Sequence, residues 1–144
     1  MYLLDTNIIS VLAPTKSRES QPLITWLKQR EDVLFLSAVS AAEVHRGIAK
    51  SRRTGAHRKA MMLEHWWTGV ELAFGPRIRP VSLEISRVIG GMSDLARATN
   101  PEFADLAIAA TAQVDGLTVL TRNLRHFLPL GVPAIDPSHQ LPGE

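Results

Sequence analysis

Short apolar runs recur along the chain between stretches of helical periodicity: YLL at 2–4, VLFL at 33–36, IRPV within 77–82, LTVLT at 117–121 and VPAI at 132–135. No other feature restricts the fold as much. Strands this short that alternate with helices pair in parallel, and the connecting helices cover both faces of the sheet. The expected class is therefore α/β. No internal repeat, linker or low-complexity tract interrupts the 144 residues, so one domain is expected.

Between the strands, apolar spacing predicts helices over 6–13, stopped by Pro14, and over 20–30, after the polar segment TKSRES. A third begins at Ser40, its expected cap, and a fourth spans 56–74 with Met62, Trp66 and Val70 on one stripe. Helical spacing returns over 85–96. In NPEFADLAIAATAQV, Asn100 is the expected cap and Pro101 occupies the first turn, where its missing N–H does no harm. From Leu106 on, this helix is apolar nearly all round and should be buried; Gly116 ends it. The segment DPSHQLPGE at 136–144 is expected to fray.

Hydrophobic residues make up 45% and charged residues 21%, which fits a chain with a real core and excludes a disordered one. No apolar run approaches the roughly 20 residues of a bilayer-spanning helix. The start lacks a basic segment followed by a cleavable apolar one. The absence of cysteine rules out disulfides and thiolate metal sites and points to the cytoplasm. The formal charge is only +2, but residues 46–59 carry six Lys/Arg and no acid.

Asp5 follows the first strand directly, between two stretches that both look buried, where an isolated carboxylate is expensive. In an open parallel sheet the functional crevice lies beyond the carboxyl ends of the strands. Glu43 falls in the first turn of the helix after the second strand, and Asp105 in the opening turns of the helix before LTVLT. Each acid has a local explanation. Asp5 can cap the helix starting at Thr6, Ser40-x-x-Glu43 reads as a capping box, and Asp105 suits the helix dipole. None of these explains why all three share one end of the sheet. Convergent carboxylates repel unless a cation offsets them. Hard oxygen donors suit Mg2+ or Mn2+, and such an ion can activate water and steady a phosphoryl oxygen. This is the chemistry of phosphodiester hydrolysis.

LLDTNIIS, SAAEVHRGI, FADLAIAATA and LTVLTRNLRHF, in that order, resemble the PIN-domain family, and within it the VapC-like or FitB-like branch of bacterial toxins. The resemblance runs over 1–135 and leaves 136–144 as a C-terminal tail. It implies a three-layer α/β/α domain around a short-stranded, mostly parallel five-stranded sheet. It also implies a Mg2+- or Mn2+-dependent endoribonuclease, the toxin of a type II toxin–antitoxin pair. Carried over by position, Asp5, Glu43 and Asp105 are its catalytic residues and metal ligands. Many relatives place a fourth acid after the LTVLT strand. Here that stretch reads Thr121, Arg122, Asn123, Leu124, Arg125, His126, which favours one tightly held ion. Glu102 shares a helix face with Asp105 and could substitute, although a solvated glutamate is the plainer interpretation. The resemblance further implies a small antitoxin that inserts a segment at the acidic pocket, with operator DNA reached only through that antitoxin. A homodimer within a larger toxin–antitoxin assembly, an RNA substrate and no membrane complete the set. The competing expectation, supported by the missing fourth acid, is a catalytically weak PIN-like module acting mainly as an antitoxin-bound corepressor. A phospho-accepting α/β domain ranks lower, because DTN lacks a second aspartate two positions on.

Thr6 and Asn7 can orient Asp5 or cap the helix; the Thr121 hydroxyl can reach a carboxylate or a phosphate, and Asn123 can offer a carbonyl oxygen. Arg46, Arg122 and Arg125 are candidates for RNA phosphates. His126 reads as a packed or solvent-facing residue rather than a base. For the basic stretch 46–59 three roles stay open: an RNA rim, a solvated helix face, or a dock for an acidic partner segment. Trp66 and Trp67 are adjacent on a helix and cannot face the same way. One belongs in the core, and the other is available to a partner.

Overall fold

Two adjacent leucines on the first strand, β1 (Tyr2–Leu4), set the layering. Successive side chains of a strand point to opposite faces. Leu3 accordingly enters one hydrophobic cluster and Leu4 another. In the computed structural model, which describes residues 1–15 and 20–143, β1 is followed by α1 (Thr6–Ile9), α2 (Gln21–Gln29), β2 (Leu34–Ser37), α3 (Ala38–Arg53) and α4 (His57–Phe74). Then come β3 (Ile78–Arg79), α5 (Leu83–Leu95), α6 (Phe103–Asp115), β4 (Thr118–Leu120), α7 (Leu124–Phe127) and β5 (Ala134–Ile135). Residues 16–19 of TKSRES and Glu144 of the tail lie outside the described residues.

The sheet order is β3-β2-β1-β4-β5, and every pairing is parallel. On the Leu3 face, α5, α6 and Phe127 close one core; on the Leu4 face, α1, α2 and α4 close the other, with Trp26, Trp67 and Phe74. This is the expected three-layer α/β/α arrangement. No helix among the described residues is long and apolar enough to cross a membrane.

The most deeply buried helix is α6. Ala107, Ala109, Ala110 and Ala112 are all essentially inaccessible, and such small side chains let the helix lie close to both the sheet and α5. Thr111, also buried, satisfies its hydroxyl by donating to the Ala107 carbonyl at 2.7 Å. Gly116 closes the helix in the left-handed conformation (φ 65). Ala110→Leu should overpack this layer and lower stability by roughly 1–3 kcal/mol in a urea titration.

Several local expectations are corrected. α3 starts at Ala38, because β2 ends at Ser37 and Ser37 itself caps the helix, its Oγ accepting from the Val39 N–H at 3.1 Å. Ser40 is therefore inside the first turn and Glu43 is no capping-box partner. α6 starts at Phe103 rather than after Asn100. Asn100 takes a left-handed conformation (φ 47) that ends the preceding 3-10 turn, which asparagine tolerates better than most residues. The buried stripe of α4 is Ala60, Trp67, Val70 and Phe74; Met62 is exposed and Trp66 half-buried. β3 stops at Arg79, where Pro80 cannot donate to a ladder. α1 is only one turn before a 3-10 segment, Ser10–Leu12. The terminal stretch is packed in part, with Pro137 and Pro142 buried and Leu141 against the second core.

Candidate active site

The parallel register sets Leu4 beside Leu120, so the residues that follow, Asp5 and Thr121, are neighbours at the carboxyl edge. The ladder continues one step: the Asp5 N–H donates to the Leu120 carbonyl at 2.9 Å. Thr121 Oγ1 donates to Asp5 Oδ2 at 2.7 Å, and the Thr6 N–H donates to Asp5 Oδ1 at 2.7 Å. Asp5 thus caps α1, yet it is a carboxylate only 6% exposed whose two partners are both neutral. Capping explains the bond from Thr6 but leaves the buried charge uncompensated.

Glu43 reaches the same edge from α3. Its Oε1 lies 2.6 Å from Thr6 Oγ1, and Ser40 Oγ lies 3.0 Å from that hydroxyl oxygen. Thr6 has one proton to give; the carboxylate takes it, and the Ser40 hydroxyl donates to Thr6 in turn. Thr6 therefore ties α1 to α3 and fixes Glu43. Thr6→Val keeps the shape and removes the hydroxyl. It should free the Glu43 carboxylate from its fixed position. About 1 kcal/mol of stability should be lost as well, since buried Ser40 loses its acceptor. A melting curve against the parent checks the loss.

Asp105 arrives from the first turn of α6. Its Oδ2 lies 3.2 Å from His126 Nδ1. Together with Thr99, Asn100, Glu102 and Arg125, these two residues line an open cleft. His126 is the residue that sequence reasoning set aside. Nothing in its spacing signals the contact, which arises because α7 packs against the start of α6. Glu102, in the same cleft, is close enough to repel Asp105.

The three acids share one electrostatic neighbourhood. Burial pushes the Asp5 carboxyl above its ordinary value, the hydrogen bonds from Thr121 and Thr6 oppose the shift, and the charges of Asp105 and Glu43 add to it. Burial likewise raises Asp105; His126 opposes, and Glu102 and Glu43 reinforce. The donors are hard oxygens, and the two groups that hydrogen-bond Asp5 bring it no positive charge, which is the chemistry that a magnesium-sized ion fits. Even so, no three His, Asp or Glu side chains among the described residues are already arranged around one cation position. The acids converge without forming a closed cage.

The supporting candidates fall around this edge in different ways. Thr121, fully buried, accepts the Asn123 N–H at 2.9 Å while donating to Asp5, so Asn123 acts on the site through its backbone. Asn7 Oδ1 accepts the Arg122 N–H at 3.3 Å. The Arg122 guanidinium donates through Nε to Ser138 at 3.2 Å, tying it to the terminal segment. Arg125 is exposed in the cleft beside Asp105, and Arg46 is exposed one turn beyond Glu43.

An acidic pocket at the carboxyl edge of a five-stranded parallel sheet, between two helical layers, is the arrangement of a PIN-type domain. Residues 2–128 match the PIN domain family, and the chain belongs to it. It is 32% identical to toxin FitB of Neisseria gonorrhoeae over 96% of this chain and 99% of that one. To VapC ribonuclease Y4jK of Sinorhizobium fredii it is 31% identical, over 95% and 97% of the two chains. Among solved structures, FitAcB from Neisseria gonorrhoeae superposes with a TM-score of 0.83 at 30% identity, covering 96% of this chain and 99% of its own. FitAB bound to a DNA fragment matches with a TM-score of 0.83 at 28% identity over the full length of both chains.

Proposed function

We propose that this protein is a Mg2+- or Mn2+-dependent endoribonuclease, the toxin component of a type II toxin–antitoxin pair acting in the cytoplasm. The observation that carries the proposal is the buried, uncompensated Asp5 with the charges of Asp105 and Glu43 beside it. Asp5 and Asp105 would hold the ion, with Glu43 contributing directly or through water. The ion would supply the Lewis acidity that activates water and polarises the scissile phosphodiester, giving 5′-phosphate and 3′-hydroxyl ends. Thr121 and Thr6 keep the Asp5 and Glu43 carboxylates in place, so that little side-chain entropy is lost when they engage the ion. Arg125, exposed in the cleft beside Asp105, and Arg46, exposed close to Glu43 on α3, can pair with phosphates.

The likeness to FitB in FitAcB, and in FitAB on DNA, supports a small antitoxin as partner, with DNA contacted through that antitoxin. A homodimer within a larger assembly belongs to the same proposal. The second reading, a catalytically weak corepressor module, is favoured by one observation: residues 121–127 hold no acid. Incubation with fluorescent RNA separates the two. The nuclease cleaves only when Mg2+ or Mn2+ is supplied, and a chelator stops it. RNA left intact at millimolar metal supports the corepressor.

A further inference from the structure

The basic stretch that the sequence singled out is not a uniform charged face. Along α3 and its C-terminal cap, Glu43, Gly47, Lys50 and Thr54 follow at intervals of four, three and four residues, which places them on one flank of the helix. The inward stripe is different: Ser40, Ile48 and Ser51. Where α4 runs back along α3, this flank opens into a groove lined by Gly47, Lys50, Ser51, Thr54, Lys59 and Leu63. Glu43, at the acidic edge, lies one turn before Gly47 on the same flank, just outside the groove. Lys50 is about 10 Å further along, seven residues at about 1.5 Å each.

Three features mark this flank. Arg52, within the same basic stretch, is neutralised by Glu64, whereas Arg46, Lys50 and Lys59 are exposed and have no acidic partner among the described residues. Gly47 sits in a helix interior, where glycine costs about 1 kcal/mol relative to alanine, and a Cβ there would meet nothing within 4 Å. Packing does not require that glycine; its effect is to leave the flank bare between Glu43 and Lys50. Finally, the groove is lined by small and basic residues with a single leucine and no aromatic side chain among the described residues. Protein interfaces are anchored by buried aromatic or aliphatic hot spots, while phosphate backbones are held by Lys and Arg charge and by small polar groups. The composition favours a polyanion over a protein segment.

We propose that this flank, from Glu43 through Gly47 to Lys50 and Lys59, with Arg46 at its rim, is the track along which the RNA backbone reaches the acidic edge. The proposal rests on the nuclease reading for its polarity, since the track ends where the phosphodiester would be cut. Lys50 and Lys59 neutralise phosphates several bonds from the scissile one. They therefore bind long substrates and do not touch the reacting atoms.

The test uses the full chain in two experiments. In chelator, fluorescence anisotropy follows binding of a long single-stranded RNA as KCl is raised. In Lys50→Gln/Lys59→Gln the slope of log K against log salt should shrink by about 1.4, at about 0.7 for each phosphate that is no longer neutralised. With Mn2+ present, the same variant should raise KM for the long RNA several-fold, leaving kcat and the cleavage of a dinucleotide unchanged. Gly47→Met, which strengthens the helix but obstructs the track, should raise KM for the long RNA alone. An unchanged salt slope and unchanged KM in the double variant, with the parent still cleaving, overturn the track and leave the nuclease standing. A slope reduced in the double variant, with a parent that cleaves nothing, supports the track as a binding surface and removes the nuclease. If the double variant loses binding only to a polyglutamate peptide, the groove is a protein dock and the RNA proposal is overturned.

Discussion

Asp5→Asn is expected to lower RNA cleavage by roughly a thousandfold and, in metal-free protein, to raise the melting temperature by a few degrees. The first effect follows from the several kcal/mol that a bound ion contributes to such reactions, with roughly 1.36 kcal/mol for each tenfold in rate. The second follows from burial. Asp5 is held at the sheet edge with its ionised form disfavoured by desolvation and by the charges of Asp105 and Glu43. Asparagine keeps an acceptor for the Thr6 N–H and a polar group toward Thr121 while removing the charge. Relieving such a site commonly returns about 0.5–2 kcal/mol. A purely structural cap behaves in the opposite way, so a variant that melts lower and still cleaves shows Asp5 to be only the cap of α1. Thermal melts in chelator, paired with cleavage assays in Mn2+, read both effects.

The acid side of the pH–rate profile should carry the second large effect. Asp5 and Asp105 both have raised pKa values, burial being the leading cause in each, and both must be ionised to hold a cation. At sub-saturating metal, kcat/KM should begin to fall above the pH at which an ordinary aspartate titrates. Below both values it should steepen towards roughly a hundredfold loss per pH unit, because two protons are taken up. The two titrations are coupled, so the limb reports the pair rather than either residue. Metal-free stability runs the other way. With folded pKa values above the unfolded ones, the native state binds more protons within that window. Stability is then fully present below the unfolded value and declines as pH rises through the folded one. Activity and metal-free stability should therefore change in opposite directions as the pH is lowered. A single-proton acid limb at the ordinary aspartate position contradicts the paired site.

The layers of the fold were legible because burial leaves a periodic trace. Leu106 to Ala112 lacks a polar face, and that stretch of α6 is accordingly buried on all sides. The strands were legible as short apolar runs, but their register was not. Only the pairing of Leu4 with Leu120 places Thr121 against Asp5, across 116 residues of sequence. Helix starts were off by a few residues where two suitable caps compete. Ser37 and Ser40 are both plausible, and the end of β2 decides for Ser37. That shift matters for function: it removes the capping explanation for Glu43 and leaves its bond to Thr6. The contact of His126 with Asp105 depends on how α7 meets α6, and no local pattern encodes it.

Direct titration of the metal-free protein with Mn2+, followed calorimetrically or by the resonance of the free ion, bears most closely on the proposed site. The parent should bind one Mn2+ per chain, and Asp5→Asn and Asp105→Asn should each abolish that binding. A parent that takes up no Mn2+ at millimolar concentration, or either variant binding it as well as the parent, contradicts a cation held between these acids.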